Sequence, residues 1–297
     1  MNYFLSIIKN ISKHPLTQKR KLKTFSDFLF WEFFSRFSGY TVAYPFINNS
    51  RLLIKNGMDG ATGNIIFGLM EYNDMSFLLH FIRSTDLFVD IGANVGVYSV
   101  LASAVKKSRS ISFEPVPDTF KQLEDNIKIN DLSELVESHK LGLSDEEGVL
   151  HFTNSLDCVN HVVTNEDKKL ETTEVQVRKL DNILNGRSPI LMKIDVEGYE
   201  TKVLAGAMKI LADQYLKGII IELNCSGDRY GFDETKIHEN LLSEGFRSYN
   251  YDPNNRELTE REGFGEYNTI YLRDIEFVRQ RVESSEAFFI NKYSERI

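Results

Sequence analysis

Short apolar runs alternate with longer amphipathic segments from residue 50 onward. The runs have the length and the Val/Ile content of buried strands, whereas the segments between them repeat apolar residues at helical spacing. This alternation predicts βαβ units around a parallel sheet, and therefore an α/β fold. The predicted strands cover residues 87–91, 111–114, 136–141, 190–195, 218–223 and 268–272. The predicted helices cover residues 97–105, 119–130, 201–211 and 235–244.

An insertion interrupts this order after the third predicted strand. Residues 149–152 and 175–177 are typical of an antiparallel strand pair, and they enclose a polar loop at residues 153–174. The chain contains neither an internal repeat nor a linker rich in Gly and Ser. The pattern therefore predicts an accessory helical segment, one main domain and a C-terminal tail, at residues 1–60, 61–274 and 275–297 respectively.

The N-terminal segment combines a basic stretch with an apolar helix. Residues 1–23 carry six Lys or Arg and no acidic residue, which leaves a net charge of −14 on the rest of the chain. The predicted helix that follows has a broad apolar face, formed by Phe25, Leu29, Phe30, Phe33, Phe34 and Phe37. This face covers either the protein's own domain or a second subunit of a homodimer, which is the favoured interpretation because amphipathic helices usually pack on protein. The alternative is that residues 1–38 lie on the anionic inner face of a membrane.

The composition is that of a folded, acidic protein. Of the 297 residues, 42% are hydrophobic, which suffices for a full core and excludes a disordered chain. The net charge of −8 argues against a protein that binds nucleic acid by bulk charge. Two cysteines provide neither a disulfide framework nor a four-ligand zinc site, which indicates a reducing, cytoplasmic setting. The longest uncharged hydrophobic stretch has 15 residues, short of the ~20 needed to span a bilayer, and no signal-peptide pattern is present.

The first chemical signal is a strand that ends in an acid and leads into a helix through a turn of small residues. Asp90 ends the strand, and Gly92 and Gly96 flank the turn. The glycines let the backbone approach a ligand closely, and the helix start offers free N–H groups and the positive end of its dipole. Glu114, at the end of the next strand, is expected to accept hydrogen bonds from ribose hydroxyls. Because the spacing G-x-x-x-G is not that of a pyrophosphate loop, S-adenosylmethionine is favoured over a dinucleotide.

Three motifs occur together in the order VDIGANVG, FEPVPDTF and MKIDVEGYETKVLAGA. They resemble the FkbM-type class I methyltransferases over about residues 60–225. The resemblance implies a Rossmann-like fold with a mainly parallel, seven-stranded sheet flanked by helices. It also implies an S-adenosylmethionine-dependent enzyme that methylates hydroxyl groups on sugars, polyketides and related bacterial products.

The resemblance further implies which residues bind the cofactor. Those implied to contact its methionyl part are Asp90, Gly92, Asn94 and Gly96. Glu114 is implied to bind the ribose, and Gly142 and Leu143 are implied to lie near the adenine. Upstream of the first strand, Glu71 and Tyr72 match a family feature that closes over the cofactor.

Charged residues also occur on the fourth and fifth predicted strands. Lys193 and Asp195 share a face of the fourth strand by its period of two, and Glu222 and Asn224 end the fifth. Because neighbouring strands lie ~4.8 Å apart, Asp195 and Glu222 are expected to converge on one acceptor site. Asp195 is the first candidate for the base, or it binds Mg²⁺ together with Glu222 and Asn224. Lys193 either neutralises these acids, which is its commonest use, or serves as the base.

Two further residues have open roles. Glu197 either caps the helix that follows it or contacts the substrate. His161 lies in the polar loop, where the favoured interpretation is a solvated histidine. As a second hypothesis, the loop folds over the acceptor and His161 acts as the base.

The sequence thus favours an O-methyltransferase that uses S-adenosylmethionine and acts on a hydroxyl of a saccharide, glycan precursor or related natural product. The acceptor class follows from the resemblance. Two other functions stay open. One is a nicotinamide-dependent oxidoreductase, against which the missing third glycine counts. The other is a catalytically inactive methyltransferase-fold scaffold recruited to membranes by its N-terminal segment.

Overall fold

The computed structural model describes residues 2–38, 40–55, 58–156, 159–167 and 169–297. The strands are β1 (Val42–Pro45), β2 (Arg51–Ile54), β3 (Leu87–Ile91), β4 (Arg109–Phe113), β5 (Val136–His139), β6 (Gly142–Leu143), β7 (Gly148–Thr153), β8 (Thr172–Arg178), β9 (Leu191–Ile194), β10 (Gly218–Glu222), β11 (Arg247–Asp252), β12 (Glu257–Glu260), β13 (Asn268–Leu272), β14 (Phe289–Ile290) and β15 (Glu295–Arg296). The α-helices are α1 (Asn2–Lys13), α2 (Lys21–Ser38), α3 (Asp59–Phe67), α4 (Tyr72–Phe81), α5 (Val97–Val100), α6 (Pro117–Ile129), α7 (Leu180–Leu184), α8 (Glu200–Ala205), α9 (Met208–Ala212), α10 (Glu234–Ser243) and α11 (Ile275–Glu283). Helix α5 continues as a π-helical turn at Leu101–Val105, and a 3₁₀ turn covers Ser226–Tyr230.

The central sheet has eight strands in the order β12-β11-β13-β10-β9-β3-β4-β5. Strands β5, β4, β3, β9 and β10 are parallel, whereas β13, β11 and β12 pair in antiparallel fashion. The chain leaves β3 towards β4 and later returns to the other side of β3 with β9. The gap between the carboxyl ends of β3 and β9 is therefore the switch point, where open α/β sheets bind ligands. The Rossmann-like fold predicted from the sequence is confirmed, with β12 as an eighth strand at the edge.

Both faces of the sheet are buried, which explains why its strands are continuously apolar. Val89 and Ile91 belong to the core beneath α7, α8, α9 and α10. Phe88, directly before Val89 on β3, belongs to the core that contains residues of α3, α4, α6 and α11. The alternation along β3 thus directs neighbouring side chains into two different layers of helices.

The predicted helix at residues 201–211 is two helices, α8 and α9. The break comes at Gly206, where an added Cβ would lie 2.1 Å from the backbone oxygen of Ser144. The loop after β6 therefore approaches the helix too closely for any side chain at this position. A close approach of this kind depends on a segment more than sixty residues away, so the apolar pattern of the helix did not indicate it.

The predicted antiparallel pair in the insertion is confirmed as β7 and β8, and β6 adds a third, short strand parallel to β8. The loop between β7 and β8 folds back onto β7 instead of projecting from it. Phe152 forms a β-bridge with Val162, and the Thr153 N–H donates to the His161 carbonyl at 3.0 Å. The part of this loop at residues 159–167 is consequently packed against the insertion's own strands.

The N-terminal segment packs on the main domain through one side of α1 and α2. Ile11 and Phe28 form a small core with Ile66 and Phe67 of α3. The segment therefore covers its own domain through Phe28, with Phe25 partly buried beside it. The prediction that the aromatic face does so is wrong for its other described residues, because Leu29, Phe30, Phe33 and Phe34 are exposed. The side chain of Phe37, also predicted on the apolar face, lies outside the described part of the structure. A hairpin of β1 and β2 follows, so residues 1–60 are not entirely helical.

The C-terminal residues pack against this N-terminal segment. The Tyr293 hydroxyl donates to the Ile66 carbonyl at 3.0 Å, and Ile290 forms a β-bridge with Ile47. The two ends of the chain are thereby joined on one side of the molecule. In the part of the chain that the structure describes, none of the helices has both the length and the apolar character to cross a bilayer.

Candidate active site

A cavity of about 270 Å³ lies at the switch point of the sheet, beyond the carboxyl ends of β3, β4, β9 and β10. Residues predicted to bind the cofactor that line this cavity are Glu71, Asp90, Gly92, Asn94, Glu114, Gly142 and Leu143. Residues predicted to act in catalysis that line it are Lys193, Asp195 and Glu222. The fold thus brings together side chains that are up to about 150 positions apart in the sequence. Gly96, His161 and Asn224 are not among the described residues that line the cavity.

Asp90 is buried beside the cavity with one carboxylate oxygen left for a ligand. Its Oδ2 accepts a hydrogen bond from Ser99 Oγ at 2.6 Å, whereas its buried Oδ1 has no partner among the described residues. Burial raises the pKa of Asp90, and the charge of Lys193 on the neighbouring strand opposes that shift. A buried acceptor without a donor is costly, so a ligand that supplies a donor is favoured here. The ammonium group of S-adenosylmethionine fits that requirement.

Glu114 is fixed in place by two backbone N–H groups. Its Oε2 accepts from Asn94 N and its Oε1 accepts from Val116 N, both at 2.9 Å. Burial raises the pKa of Glu114 to about 7, although these two hydrogen bonds oppose the shift. Each carboxylate oxygen has two acceptor positions, so one remains on each for a hydroxyl group. The arrangement fits the two ribose hydroxyls predicted from the sequence.

The two glycines of the first motif are required by protein packing. Gly92 has a φ of +75° and an added Cβ would lie 1.8 Å from the backbone oxygen of Asp195. Gly96 has a φ of +86° and an added Cβ would lie 2.4 Å from Leu123 Cδ1. The side on which a Cβ would project is thus filled by protein at both glycines, while Gly92 still lines the cavity and its contact with the cofactor stays a prediction. Gly92 lets β3 and β9 approach each other, and Gly96 lies under the turn, against α6.

Lys193 is a buried ammonium surrounded by carboxylates. Its Nζ donates to Asp195 Oδ2 at 2.6 Å and lies 4.8 Å from the centroid of the Tyr98 ring. Burial alone would lower the pKa of Lys193, but the negative charges of Asp195, Glu71 and Asp90 outweigh it and raise the pKa. A lysine that holds its proton this firmly is a poor base, so the geometry favours the neutralising role.

Three carboxylates, which we call the acidic cluster, meet at one end of the cavity. Oxygens of Asp195, Glu197 and Glu222 lie within 4.8 Å of one another. Burial and the charge of Asp195 raise the pKa of Glu197 to about 7 and that of Glu222 to about 9. Glu222 is therefore mostly protonated at neutral pH and can donate a hydrogen bond, whereas Glu197 is partly ionised. The cluster can thus both donate and accept hydrogen bonds.

Asn224, predicted as a third metal ligand, does not join this cluster. Its Oδ1 accepts a hydrogen bond from Ser226 N at 2.9 Å, in the turn after β10. Asn224 is also not among the described residues that line the cavity, so the structure gives no support for its predicted place beside Asp195 and Glu222. Glu197, from the loop after β9, occupies the third position instead.

Glu197 lines the cavity and does not cap the following helix. No side-chain hydrogen bond caps the start of α8 in the described structure. Glu200, the first residue of this helix, instead holds the preceding loop, because its Oε1 accepts from Val196 N at 3.0 Å and from Gly198 N at 3.3 Å. The capping alternative for Glu197 is therefore wrong, and its position next to the cavity agrees with substrate contact. Sequence reasoning missed Glu200, although an acidic residue in the first turn of a helix is a recognisable signal.

Glu71 lies at the cavity edge and is bound to a tyrosine that sequence reasoning missed. The Tyr98 hydroxyl donates to Glu71 Oε2 at 2.5 Å, so α5 holds the segment before α4 against the cavity. Tyr72, the predicted partner of Glu71 in closing over the cofactor, is directed elsewhere and donates to Asn254 Oδ1 at 3.0 Å. The signal for Tyr98 was its position in the first turn after the VDIGANVG motif.

His161 is buried in the insertion, so it is not the solvated histidine favoured from the sequence. Its Nδ1 lies 2.8 Å from the Val159 carbonyl oxygen and its Nε2 lies 3.3 Å from Asp167 Oδ2. Both ring nitrogens therefore have protein partners, and neither faces the cavity. Its neighbour Asn160 lines the cavity instead. The hypothesis that His161 is the base would require the loop to rearrange.

Two methyltransferases of known name are similar to this chain in sequence. A protein of Haloferax volcanii, the hexuronic acid methyltransferase AglP, is 30% identical over 170 residues, which cover 53% of this chain and 64% of that protein. Methyltransferase 1 of Beauveria bassiana is 27% identical over 162 residues, which cover 46% of this chain and 63% of that protein. The matched region thus spans just under two thirds of each relative's length.

Solved structures give only a distant likeness. The precorrin-6y C5,15-methyltransferase of Geobacter metallireducens superposes with a TM-score of 0.40 at 13% identity, covering 68% of this chain and 87% of that one. The sequence model of the methyltransferase FkbM domain, by contrast, matches residues 90–251, which is more than half of the chain and includes most of the cavity residues. This chain therefore belongs to the FkbM methyltransferase domain family.

Proposed function

We propose that this protein is an S-adenosylmethionine-dependent O-methyltransferase that acts on a hydroxyl group of a sugar or a related natural product. The observation that carries the proposal is the cavity at the switch point, which joins Asp90 and Glu114 to the acidic cluster. When bound there, S-adenosylmethionine supplies an electrophilic methyl group that is transferred by in-line displacement. Membership of the FkbM family favours this function over a nicotinamide-dependent oxidoreductase.

The cofactor half of the cavity binds by charge and hydrogen bonds. The free Oδ1 of Asp90 accepts from the ammonium group, and the carboxylate of Glu114 accepts from the ribose hydroxyls. Glu71, held by Tyr98, covers the methionyl end. Gly142 and Leu143 line the part of the cavity that is left for the adenine.

The acceptor hydroxyl loses its proton to the acidic cluster, with Asp195 as the first proton acceptor. Lys193 orients the carboxylate of Asp195 through their 2.6 Å ion pair. Glu222, whose pKa is raised to about 9, donates a hydrogen bond that orients the acceptor. A positioned base of this kind contributes roughly 10²–10⁴-fold to the rate.

Magnesium bound by Asp195, Glu197 and Glu222 is the alternative way to activate the hydroxyl. Three carboxylates are suitable ligands for a hard cation. However, the ammonium group of Lys193 already occupies one side of Asp195 and would repel the ion. If turnover survives EDTA, the acidic cluster acts as the base. If EDTA abolishes turnover and added magnesium restores it, the metal activates the hydroxyl.

The charge of the acidic cluster favours a neutral acceptor. The Haloferax volcanii relative is named for a hexuronic acid, which supports a sugar as the acceptor class. A carboxylate on the acceptor would be repelled by Asp195 and Glu197, unless these were protonated. We therefore propose a neutral hydroxyl of the sugar, rather than its carboxylate, as the methylated group.

The test is methyl transfer by the full chain from isotopically labelled S-adenosylmethionine to extracts of nucleotide sugars and glycolipids, read by mass spectrometry. We expect one labelled methyl ether on a sugar-containing product. Asp195→Asn should lower turnover by about 100-fold or more and change cofactor affinity by less than about threefold, because Asp195 acts on the acceptor. The matched control is Asp131→Asn, at an exposed carboxylate after α6. An absence of labelled product from every pool, with intact cofactor binding, would favour a catalytically inactive scaffold.

A further inference from the structure

Helix α2 exposes large apolar side chains on the side that faces away from the protein. Leu22 is 88% exposed, and Phe30 is 68% exposed. The opposite side of the same helix is buried, with Phe28 fully inaccessible. We call the exposed side the N-terminal apolar face, and its members are Leu22, Leu29, Phe30, Phe33 and Phe34. A contiguous apolar surface of this kind usually marks a site of interaction.

Exposed lysines occur on α1, in the turn after it and in the first turn of α2, the helix that carries this face. Residues 1–23 contain six basic and no acidic residues, while the rest of the chain is strongly acidic. The lysines that are exposed in this segment are Lys9, Lys13, Lys19, Lys21 and Lys23. Aromatic side chains next to a cluster of lysines are the composition that binds the surface of an anionic bilayer.

We propose that the N-terminal apolar face and its lysines dock the protein onto an anionic phospholipid membrane. The aromatic rings enter the boundary between headgroups and acyl chains, and the lysines contact the negatively charged headgroups. Charge distinguishes this partner from a second copy of the chain. A two-fold dimer through this face would bring the same basic segments together, which is unfavourable, whereas an anionic membrane complements them.

The structure connects this surface to the cavity. The His14 ring, in the turn after α1, has its Nε2 2.8 Å from the Leu69 carbonyl oxygen and its ring centroid 4.8 Å from that of Phe67. The next two residues, Met70 and Glu71, line the cavity. A protein docked through this segment would therefore hold its cavity close to the lipid surface, as a membrane-carried acceptor requires. This last step rests on the proposed function, whereas docking itself does not.

The test is sedimentation of the full chain with vesicles that contain phosphatidylglycerol, compared with vesicles of phosphatidylcholine alone. We expect binding to the first that weakens at high salt, and little binding to the second. Lys19→Glu/Lys23→Glu should weaken binding by at least about thirtyfold, since each lysine near an anionic surface contributes roughly fivefold. Phe30→Ser/Phe34→Ser should also weaken it, without loss of the salt dependence.

Matched controls use residues of the same type elsewhere on the surface. Lys209→Glu/Lys236→Glu removes two exposed lysines far from residue 23 in the sequence, and Val149→Ser removes a 56% exposed apolar side chain. These variants should bind vesicles as the unmodified chain does. Circular dichroism of every variant verifies that it is folded.

Two results would overturn the proposal. One is equal binding to both kinds of vesicle, or to neither, by a folded protein. The other is a dimer in light scattering that Phe30→Ser/Phe34→Ser dissociates, together with no vesicle binding, which would assign the face to a second copy. Neither result bears on methyl transfer to a water-soluble acceptor, so failure of this proposal is distinguishable from failure of the proposed function.

Discussion

Lys193 shows how a single side chain sets the charge of the cavity. On β9 it lies directly beside Asp90 of β3 in the strand register, and it pairs with Asp195 two positions further along its own strand. One ammonium group thus lies close to an acid proposed to bind the cofactor and to an acid proposed to act on the acceptor. Because the same lysine lies beside Asp90 and forms the ion pair with Asp195, its replacement is expected to disturb both the proposed cofactor contact and the acidic cluster.

Glu114→Gln is expected to weaken binding of S-adenosylmethionine by about 1.5–3 kcal/mol, because it replaces charge-assisted hydrogen bonds to the ribose. Isothermal titration calorimetry measures the change. Glu134→Gln, at an exposed glutamate before β5, is the matched control and should bind as the unmodified chain does. Unchanged affinity in Glu114→Gln would refute the ribose assignment.

Gly92→Ala is expected to lower the free energy of unfolding by about 3 kcal/mol or more. The substitution combines a left-handed backbone with a Cβ placed 1.8 Å from the Asp195 oxygen. Gly186→Ala separates the two effects, because Gly186 has a φ of +86° but nothing within 4 Å of an added Cβ. The free energy of unfolding of Gly186→Ala, measured by urea denaturation, should fall by only about 1–2 kcal/mol. If the free energy of unfolding fell equally in the two variants, the contact with the Asp195 oxygen would contribute nothing to the effect of Gly92→Ala.

Helix α6 supports the cofactor turn through one buried amide. Asn126 Oδ1 accepts from Leu53 N at 2.7 Å, and its Nδ2 donates to the Val95 carbonyl at 2.8 Å. The helix thereby joins β2 to the turn that follows β3. The hairpin of β1 and β2, which the sequence analysis assigned to an accessory segment, is in this way part of the support of the site.

Asn126→Leu is expected to lower the free energy of unfolding by about 2–4 kcal/mol, since it leaves a buried N–H and a buried carbonyl without partners. Asn130→Leu is the matched control on the same helix. Asn130 makes the same kind of bonds to the N–H and carbonyl of Arg51, but at an exposed position. Water can replace those bonds, so the free energy of unfolding of Asn130→Leu, measured by thermal or chemical denaturation, should fall by less than about 1 kcal/mol. A similar loss in both variants would contradict the supporting role of Asn126.

Over the whole molecule, carboxylates with raised pKa values concentrate around the cavity. Burial raises the pKa of Glu200 to about 7, like those of Glu114 and Glu197, and raises that of Glu222 to about 9. A group whose pKa is higher in the folded than in the unfolded state retains protons that the unfolded chain has released. Its contribution to stability is complete below the unfolded pKa and is lost as the pH rises through the folded one.

The ligand-free protein is therefore expected to lose stability through Glu222 as the pH rises from about 5 to about 9. Thermal unfolding of the unmodified chain and of Glu222→Gln, measured side by side, cancels the contributions of titrating groups that do not interact with Glu222. The difference in melting temperature between the variant and the unmodified chain should grow with pH across this range. A constant difference would mean that the pKa of Glu222 is not raised by folding.

Much of the fold was predictable because it is encoded locally. The strands at residues 87–91 and 268–272 were predicted with the bounds that the structure has, since each is a short apolar run between turn signals. Residues 247–252 and 257–260 were missed. Their alternation of polar with aromatic residues is that of an edge hairpin, whose exposed face carries no continuous apolar run.

The sequence by itself determined which carboxylates end the strands, because the order of strands and turns fixes Asp90, Glu114, Asp195 and Glu222 at one edge of a parallel sheet. Only the tertiary structure decided that Glu197 joins Asp195 and Glu222, that Glu200 binds the loop before α8, and that one side of α2 stays exposed. The physical reason is distance along the chain. Strand and turn preferences arise among neighbouring residues, whereas pairing, burial and exposure depend on segments that meet only after folding.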